Sequence, residues 1–301
     1  MKILVIGSNG NIGRKLVPYL RSKGHTVLRA DIAQEYAKDY VKCDINKIDD
    51  LWVPAIGFQP EVIYHMAAMV SRITSEEAAY LCIDTNISGT NNVCQLCHMT
   101  GAKMINFSTS EIYGNIGGLL REERVDIKPN NRYGLSKWLA ENIVEYEVNN
   151  YDLKAVTVRP FMFYDEDETF GEHRSAMIRF AEALAKGEKI TVHRNTQRSW
   201  LHMDDVAVAL ERCIHLKKYH VINIGSPEVE SMYEIAMTMC KKFELDPNKY
   251  IELKDMPKQM TRTKIPCLEK QKLLLDFMPT ISLNDGIDRV LMKVKERIER
   301  D

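Results

Sequence analysis

Short apolar runs rich in β-branched residues alternate along the chain with longer segments of helical periodicity. The first run, Lys2-Ile-Leu-Val-Ile6, predicts a buried strand, and Gly7, Gly10 and Gly13 predict a tight turn into a helix opening near Asn11. A second run, Thr26-Val-Leu-Arg-Ala, ends at Asp31. Further strand signals are Tyr40-Val-Lys-Cys-Asp44-Ile45, Glu61-Val-Ile-Tyr-His65, Lys103-Met-Ile-Asn-Phe107, Ala155-Val-Thr-Val-Arg159 and His220-Val-Ile-Asn-Ile224. Two helical stretches run from about Asn86 to Thr100 and from Tyr133 to Asn149. The alternation predicts an α/β chain whose doubly wound parallel sheet is covered by helices on both faces.

The glycine turn carries the first chemical signal. Glycines directly after a strand let backbone N–H groups approach a pyrophosphate, and the helix beyond them points its positive end at that anion. The segment Gly7, Asn9, Gly10, Asn11, Ile12 and Gly13 is therefore expected to cradle a dinucleotide. Asp31 stands where a carboxylate accepts hydrogen bonds from the adenosine ribose and repels a 2′-phosphate, so NAD is expected rather than NADP. Arg29, two residues earlier, is the one cation that competes with this reading.

Composition narrows the class. With net charge −1 over 301 residues, nothing favours binding to nucleic acid or to an anionic membrane. No apolar run has the length of a signal-peptide core or a membrane span, and a cytoplasmic enzyme is expected. The seven cysteines lack metal-ligand spacing; Cys94 and Cys97 fall in a helical pattern and read as core packing. Pro160 marks a change in texture. Residues 1–160 are expected to form the dinucleotide-binding domain, with returns near 200–225, and residues 161–301 mainly the substrate-binding domain. The acidic cluster Asp165-Glu-Asp-Glu168 reads as a solvated loop and not as a metal site.

A second chemical signal is Tyr133-Gly-Leu-Ser-Lys137. A phenol with an ordinary pKa of ~10 needs a nearby cation to act as a base, and Lys137 lies one helical turn away on the same face. Tyr133 as phenolate is then expected to take a proton from a substrate hydroxyl while hydride leaves the same carbon for NAD.

In these residues the chain resembles the extended short-chain dehydrogenase/reductases of the nucleotide-sugar epimerase, dehydratase and decarboxylase group. Gly7, Gly10 and Gly13 match its G-x-x-G-x-x-G. Asp44-Ile45 matches its adenine-holding pair, and His65-Met66-Ala67-Ala68 its H-x-A-A turn. Asn86-Ile-Ser-Gly-Thr90, Tyr113-Gly114, Arg159-Pro-Phe161, Arg198-Ser-Trp-Leu-His-Met-Asp-Asp205, Asn223-Ile-Gly225 and Pro279-Thr-Ile-Ser-Leu283 match it in order.

The resemblance implies a Rossmann-type doubly wound parallel sheet with a smaller C-terminal substrate-binding domain. It also implies NAD as cofactor, a nucleotide-linked sugar as substrate, no metal, and a transient 4-keto sugar. Thr109 stands where the family places a hydroxyl on the reacting oxygen. Ser110 and Glu111 occupy the positions that decide the fate of the oxidised sugar. The glucose-type 4,6-dehydratases carry Asp and Glu there, whereas Thr-Ser-Glu resembles the UDP-glucuronate decarboxylases and some dehydratases of N-acetylated sugars. Glu111 acts as acid or base, or else orders the segment from Thr109 to Tyr113. Arg198 steers a uronate or pairs with the pyrophosphate. Arg174 and Arg262 are candidate phosphate ligands, while His173, His193 and His202 lack a companion at ligand spacing and read as loop or packing residues.

Met162 replaces an asparagine that relatives use toward the nucleotide phosphates, so the base stays open. The two long helices imply a homodimer interface, with Leu139, Ile143 and Tyr146 at helical spacing. An NAD-binding regulator or scaffold of the same fold is the competing class. Such proteins typically lose the catalytic Tyr and Lys, which this chain keeps.

Overall fold

The structure, a computed structural model, describes residues 1–171 and 175–300. In chain order the strands among these residues are β1 (Lys2–Ile6), β2 (Thr26–Asp31), β3 (Tyr40–Lys42), β4 (Val62–His65), β5 (Lys103–Phe107), β6 (Leu119–Leu120), β7 (Ala155–Pro160), β8 (Met162–Tyr164), β9 (Ile190–His193), β10 (Gln197–His202), β11 (Val221–Ile224), β12 (Val229–Ser231), β13 (Ile251–Lys254) and β14 (Thr263–Pro266). Seven of them form one parallel sheet in the order β11-β7-β5-β4-β1-β2-β3. Helices cover both faces, which is why β1, β4, β5 and β7 are almost wholly buried and read as continuous apolar runs.

The strand order reverses at β1. From β1 the chain winds outward through β2 and β3, then returns to place β4 on the opposite side of β1, and this leaves a crevice at the carboxyl ends of β1 and β4. Gly7 (φ 89°) and the turn after β4 meet there so closely that a Cβ on Gly7 would fall 2.6 Å from the Ala67 nitrogen. Gly13 serves the next contact, since a Cβ there would lie 2.4 Å from the Ser8 carbonyl oxygen.

The expected helix from Asn86 starts differently. Ala79–Ile83 runs through a π-helical turn, Asp84–Ser88, into Gly89–Thr100. The wider turn faces Asn86 inward: its Oδ1 accepts from the Met69 nitrogen at 2.8 Å and its Nδ2 donates to Ser136 Oγ at 2.9 Å. The helix Arg132–Tyr151 is as long as expected or longer, capped by the Asn131 side chain on the Gly134 N–H at 2.8 Å. The expected third strand is shorter, ending at Lys42, because Asp44 turns away to bond the Asn46 nitrogen.

Beyond Pro160 the chain builds a second lobe around β12-β10-β14-β6, with β8 on β10 and a separate β13-β9 pair. β6 joins this lobe from the first half of the chain. Its core packs Tyr164 and Trp200 against helices Ala176–Ala185 and Leu283–Ile298. Gly286 is required there, since a Cβ would collide with the Tyr164 hydroxyl. Met162, at the start of β8, packs on the same core. Cys94 and Cys97 are buried in the first lobe, with Cys94 against Met104. No helix among the described residues is long and apolar enough to cross a membrane.

Candidate active site

The dinucleotide cradle begins at the helix Asn11–Ser22. Its cap is Gly10, which has no side chain to satisfy the first-turn N–H groups, so those donors face the crevice. A Cβ on Gly10 would meet only the Gly7 carbonyl oxygen, at 3.3 Å. An approaching pyrophosphate, not a protein contact, is what the missing side chain suits. At the end of β2, Asp31 accepts from the Asn9 backbone nitrogen at 2.9 Å, which aims its carboxylate at the same crevice.

Arg29 does share a strand face with Asp31. However, its guanidinium is held by Asp39, with Nε to Oδ2 at 2.9 Å, and by Glu35, so it is not free for a 2′-phosphate. Asn9 Nδ2 adds a 3.3 Å bond to Glu35. Two carboxylates, Asp31 and Glu35, thus both bond Asn9 beside the glycine turn, a charge that disfavours a 2′-phosphate there. Ile45 is buried and packs on Gly89, where a Cβ would fall 2.5 Å from its Cδ1. Asp44 is partly exposed beside it. Met66 and Ala67 donate their N–H groups to the Ile6 carbonyl, closing the floor under Gly7, with Ala68 next on the rim.

Tyr133, Lys137 and Thr109 converge. Asn131 caps the helix and projects Tyr133 and Lys137 from one face; Gly134 lets the helix approach Glu111, where a Cβ would lie 2.7 Å from the Glu111 carbonyl oxygen. Thr109 caps a short 3-10 turn, Ser110–Tyr113, and its hydroxyl also faces the phenol. The spacing of Lys137 predicts a phenol pulled below its ordinary value. Instead burial pushes Tyr133 up to about 12, Thr109 opposing and the Glu111 charge reinforcing that rise. Burial likewise pushes Lys137 down to about 8, against the pull of Glu141. The Lys137 ammonium makes no hydrogen bond to the described residues, although Lys137 is buried. Three unused donors at this point fit the hydroxyls of a nicotinamide ribose. His65, one strand away, bonds Thr90 at 2.9 Å and is pushed down to about 3 by burial and by Lys137, so it stays neutral.

Glu111 is enclosed. One oxygen accepts from Lys264, the other from Thr261 Oγ1 at 2.9 Å and Asn131 Nδ2 at 3.0 Å. Burial alone would raise its pKa; the charges of Lys264 and Arg72 with the bonds from Lys264 and Thr261 outweigh burial and hold it at about 2. Ser110 is buried beside it. Arg198 is buried too, but it spends its donors on backbone, with Nη1 at 2.8 Å from the carbonyls of Gln197 and Arg262 and Nη2 on that of Thr261. Burial lowers it to about 10. Arg262 is exposed on the same segment, with its backbone nitrogen on Asn115. Arg174 and His173 lie outside the described residues.

Two expectations need correcting. His202 does have companions: Asp165 and Glu166 come directly after β8, which pairs with β10 in the register Tyr164 to His202, and the ligand atoms of all three lie within 4.8 Å of one another. The acidic cluster is also no solvated loop, because Asp165 and Glu168 are buried. Lys15, from the cradle helix, places its ammonium 3.1 Å from Asp165 and 2.9 Å from Asp167, and His202 Nε2 donates to Glu166 at 2.7 Å while Nδ1 accepts from the Asp204 nitrogen. Sequence spacing hid the group because its members meet only through strand pairing. Lys264, Thr261, Arg72 and Glu141 were likewise missed. Only Glu141 carried a local signal, its place one turn beyond Lys137.

A model of the family described as NAD dependent epimerase/dehydratase matches residues 3–225. The chain belongs to that family. Its cofactor is NAD, and the cradle, Asp31 and Lys137 are the residues that fit it. The chain is similar to UDP-glucuronic acid decarboxylase 2 of Arabidopsis thaliana, 26% identical over 316 residues, which cover 100% of this chain and 70% of that protein. Its fold matches a UDP-glucose 4-epimerase of Thermotoga maritima (TM-score 0.90, 23% identity, 100% of both chains). It also matches a dTDP-glucose 4,6-dehydratase of Bacillus anthracis (TM-score 0.86, 22% identity, 99% of this chain and 98% of that one). A decarboxylase, an epimerase and a dehydratase thus stand among the proteins it is similar to.

Proposed function

We propose that this protein oxidises a nucleotide-linked sugar at C4 and then removes carbon dioxide from a uronate so oxidised. The observation that carries the first part is the convergence of Thr109 on Tyr133, with Lys137 one turn along the same helix. Bound NAD supplies a hydride acceptor and a positive ring that brings the phenol back into working range. Tyr133 takes the C4 hydroxyl proton, Thr109 holds the same oxygen, and Lys137 anchors the ribose and stabilises the phenolate.

The second part rests on Glu111. A carboxylate with three donors and a pKa of about 2 is a poor base, which counts against dehydration across C5 and C6. Loss of carbon dioxide from a 4-keto uronate needs no such base: the C5–C6 bond breaks, its electron pair moves toward the C4 carbonyl, C5 takes up a proton, and the hydride taken from C4 returns to that carbon with a proton from Tyr133, so the net change is loss of carbon dioxide alone. Arg72, Arg198 and Lys264 outnumber Glu111 here, and Arg72 makes no ion pair among the described residues, so the surplus of cations suits a carboxylate-bearing sugar. Arg198, fixed to backbone, supplies field more than contact, while the exposed Arg262 is left as a phosphate ligand, together with Arg174, which lies outside the described residues. The same enclosed Glu111 also supports a second reading, C4 epimerisation, which needs no chemistry at C5.

Incubation with UDP-glucuronic acid and UDP-glucose, with product mass as the readout, tests the proposal. Loss of 44 Da from the uronate, about one carbon dioxide, supports it; unchanged mass with inverted C4 supports epimerisation. Bound NAD with no conversion of any sugar nucleotide would favour a regulatory or scaffold role.

We also propose a homodimer through helices Gly89–Thr100 and Arg132–Tyr151. Tyr80, Leu81, Leu139 and Tyr146 are exposed on or beside this face, whereas Ile143 packs inward on the core.

A further inference from the structure

Tyr133, Lys137 and Glu141 fall at i, i+4 and i+8 along the helix Arg132–Tyr151, so the three side chains descend one face from the catalytic oxygen into the interior. Lys137 and Glu141 are both buried. A buried carboxylate must be compensated, and Glu141 is met by Arg159 from β7, whose Nε lies 3.2 Å from both carboxylate oxygens and whose Nη2 bonds Oε1. Arg159 is itself fixed. Its Nη1 donates to the Tyr113 hydroxyl at 2.7 Å and to the Glu122 carbonyl at 3.1 Å, its guanidinium lies 5.2 Å from the Tyr113 ring centroid, and the Tyr113 hydroxyl donates to Asn223 Oδ1 at 2.8 Å. The carboxylate is therefore fixed by Arg159, one helical turn along from Lys137.

We propose that Glu141, moderated by Arg159, is a positioning residue for the catalytic pair: its carboxylate keeps the Lys137 ammonium charged beside Tyr133. The proposal rests on the reading of Tyr133 and Lys137 as the pair that handles the substrate proton. The ionisable groups around Lys137 are few. Glu141 and Tyr133 share its helix, Cys82 approaches from Ala79–Ile83, and His65 at the end of β4 is held neutral by burial. Glu111, from the 3-10 turn, acts on Tyr133, and Arg159 reaches Glu141 directly. Among the described residues Glu141 is the group that most favours the ammonium over the amine. Arg159 limits how far that stabilisation goes and leaves Lys137 close to the working range.

Removing the Glu141 charge must lower the Lys137 titration, and removing Arg159 must raise it, because Glu141 then acts uncompensated. The test is an NMR titration of protein carrying 13C-labelled lysine, with the Lys137 resonance assigned by its loss in Lys137→Met, run beside a pH profile of turnover. In Glu141→Gln the Lys137 midpoint and the alkaline limb of turnover should both fall by roughly one pH unit. In Arg159→Met both should rise, and Arg159→Lys should restore the parent values.

An unmoved Lys137 midpoint in the Glu141→Gln or Arg159→Met protein, with activity lost equally at every pH, would assign the pair a purely structural role and overturn the proposal. If Glu141→Gln fails to fold, the two Arg159 variants decide alone. The titration reads Lys137 directly, so failure of the parent protein to convert any sugar nucleotide would remove the proposed function without touching this result.

Discussion

Glu111 and Lys264 meet as a buried ion pair across 153 positions of sequence, one from the catalytic turn and the other from the second lobe. Thr261 bonds the same carboxylate, Arg198 holds the carbonyls of Thr261 and Arg262, and Asn115 and Asn130 bond the Met260 carbonyl, so the segment 258–264 is lashed to Glu111 and its neighbours. Glu111 is the centre of that lashing. Removing Lys264 alone leaves its carboxylate buried without its strongest partner. Lys264→Met should therefore destabilise the protein by about 3 kcal/mol, and Glu111→Gln combined with Lys264→Met by clearly less than the sum of the two single changes. Denaturant midpoints of the four proteins measure this; simple additivity would show that the pair is not coupled.

Acid should expose the same pair. The Glu111 carboxyl titrates at about 2 in the folded protein, below the ordinary carboxylate range, so the stability it confers is complete above about pH 5 and drains as pH falls toward 2. Thermal unfolding of the parent and of Glu111→Gln between pH 7 and 3 tracks this, and the gap between the two should narrow on the acid side. A constant gap would mean that Glu111 carries no such charge.

Cofactor choice is tested at Asp31. Asp31→Ser removes both the ribose acceptor and the charge facing a 2′-phosphate, while Glu35 remains beside Asn9. NAD affinity should fall roughly tenfold or more, and the preference over NADP should shrink without vanishing. Calorimetric titration with both dinucleotides gives the ratio; an NADP preference in the parent would refute the reading of Asp31.

How much of this was legible in the chain depended on distance along it. Gly7 to Gly13 and Tyr133 to Lys137 each lie within a few residues, and local geometry alone brings their groups together. The parallel sheet was equally legible, since burial on both faces writes each strand as an apolar run. The environment of Glu111 was not, because Lys264, Thr261 and Arg198 reach it from β10, β14 and the segment before β14, and no spacing rule connects these to residue 111. His202 was hidden in the same way, as Asp165 and Glu166 come beside it only through the pairing of β8 with β10. The rise of the Tyr133 phenol to about 12 was also invisible, since sequence shows which charges are near but not how far folding takes the phenol out of water.

Assembly makes a separate prediction. Leu139 and Tyr146 are exposed on the helix that carries Tyr133, so Leu139→Glu with Tyr146→Glu should leave the fold intact and give monomer where the parent sediments as a dimer. A monomeric parent at micromolar concentration would reject the interface.

The central claim is that Tyr133 moves the proton that permits oxidation at C4. The most direct measurement is a single-turnover experiment with UDP-glucuronic acid, in which reduced cofactor is tracked by its near-ultraviolet absorbance and the products by mass, for the parent and for Tyr133→Phe. Tyr133→Phe should bind NAD with nearly unchanged affinity but form reduced cofactor and product slower by about a hundredfold or more. Near-normal rates in that variant would contradict the claim.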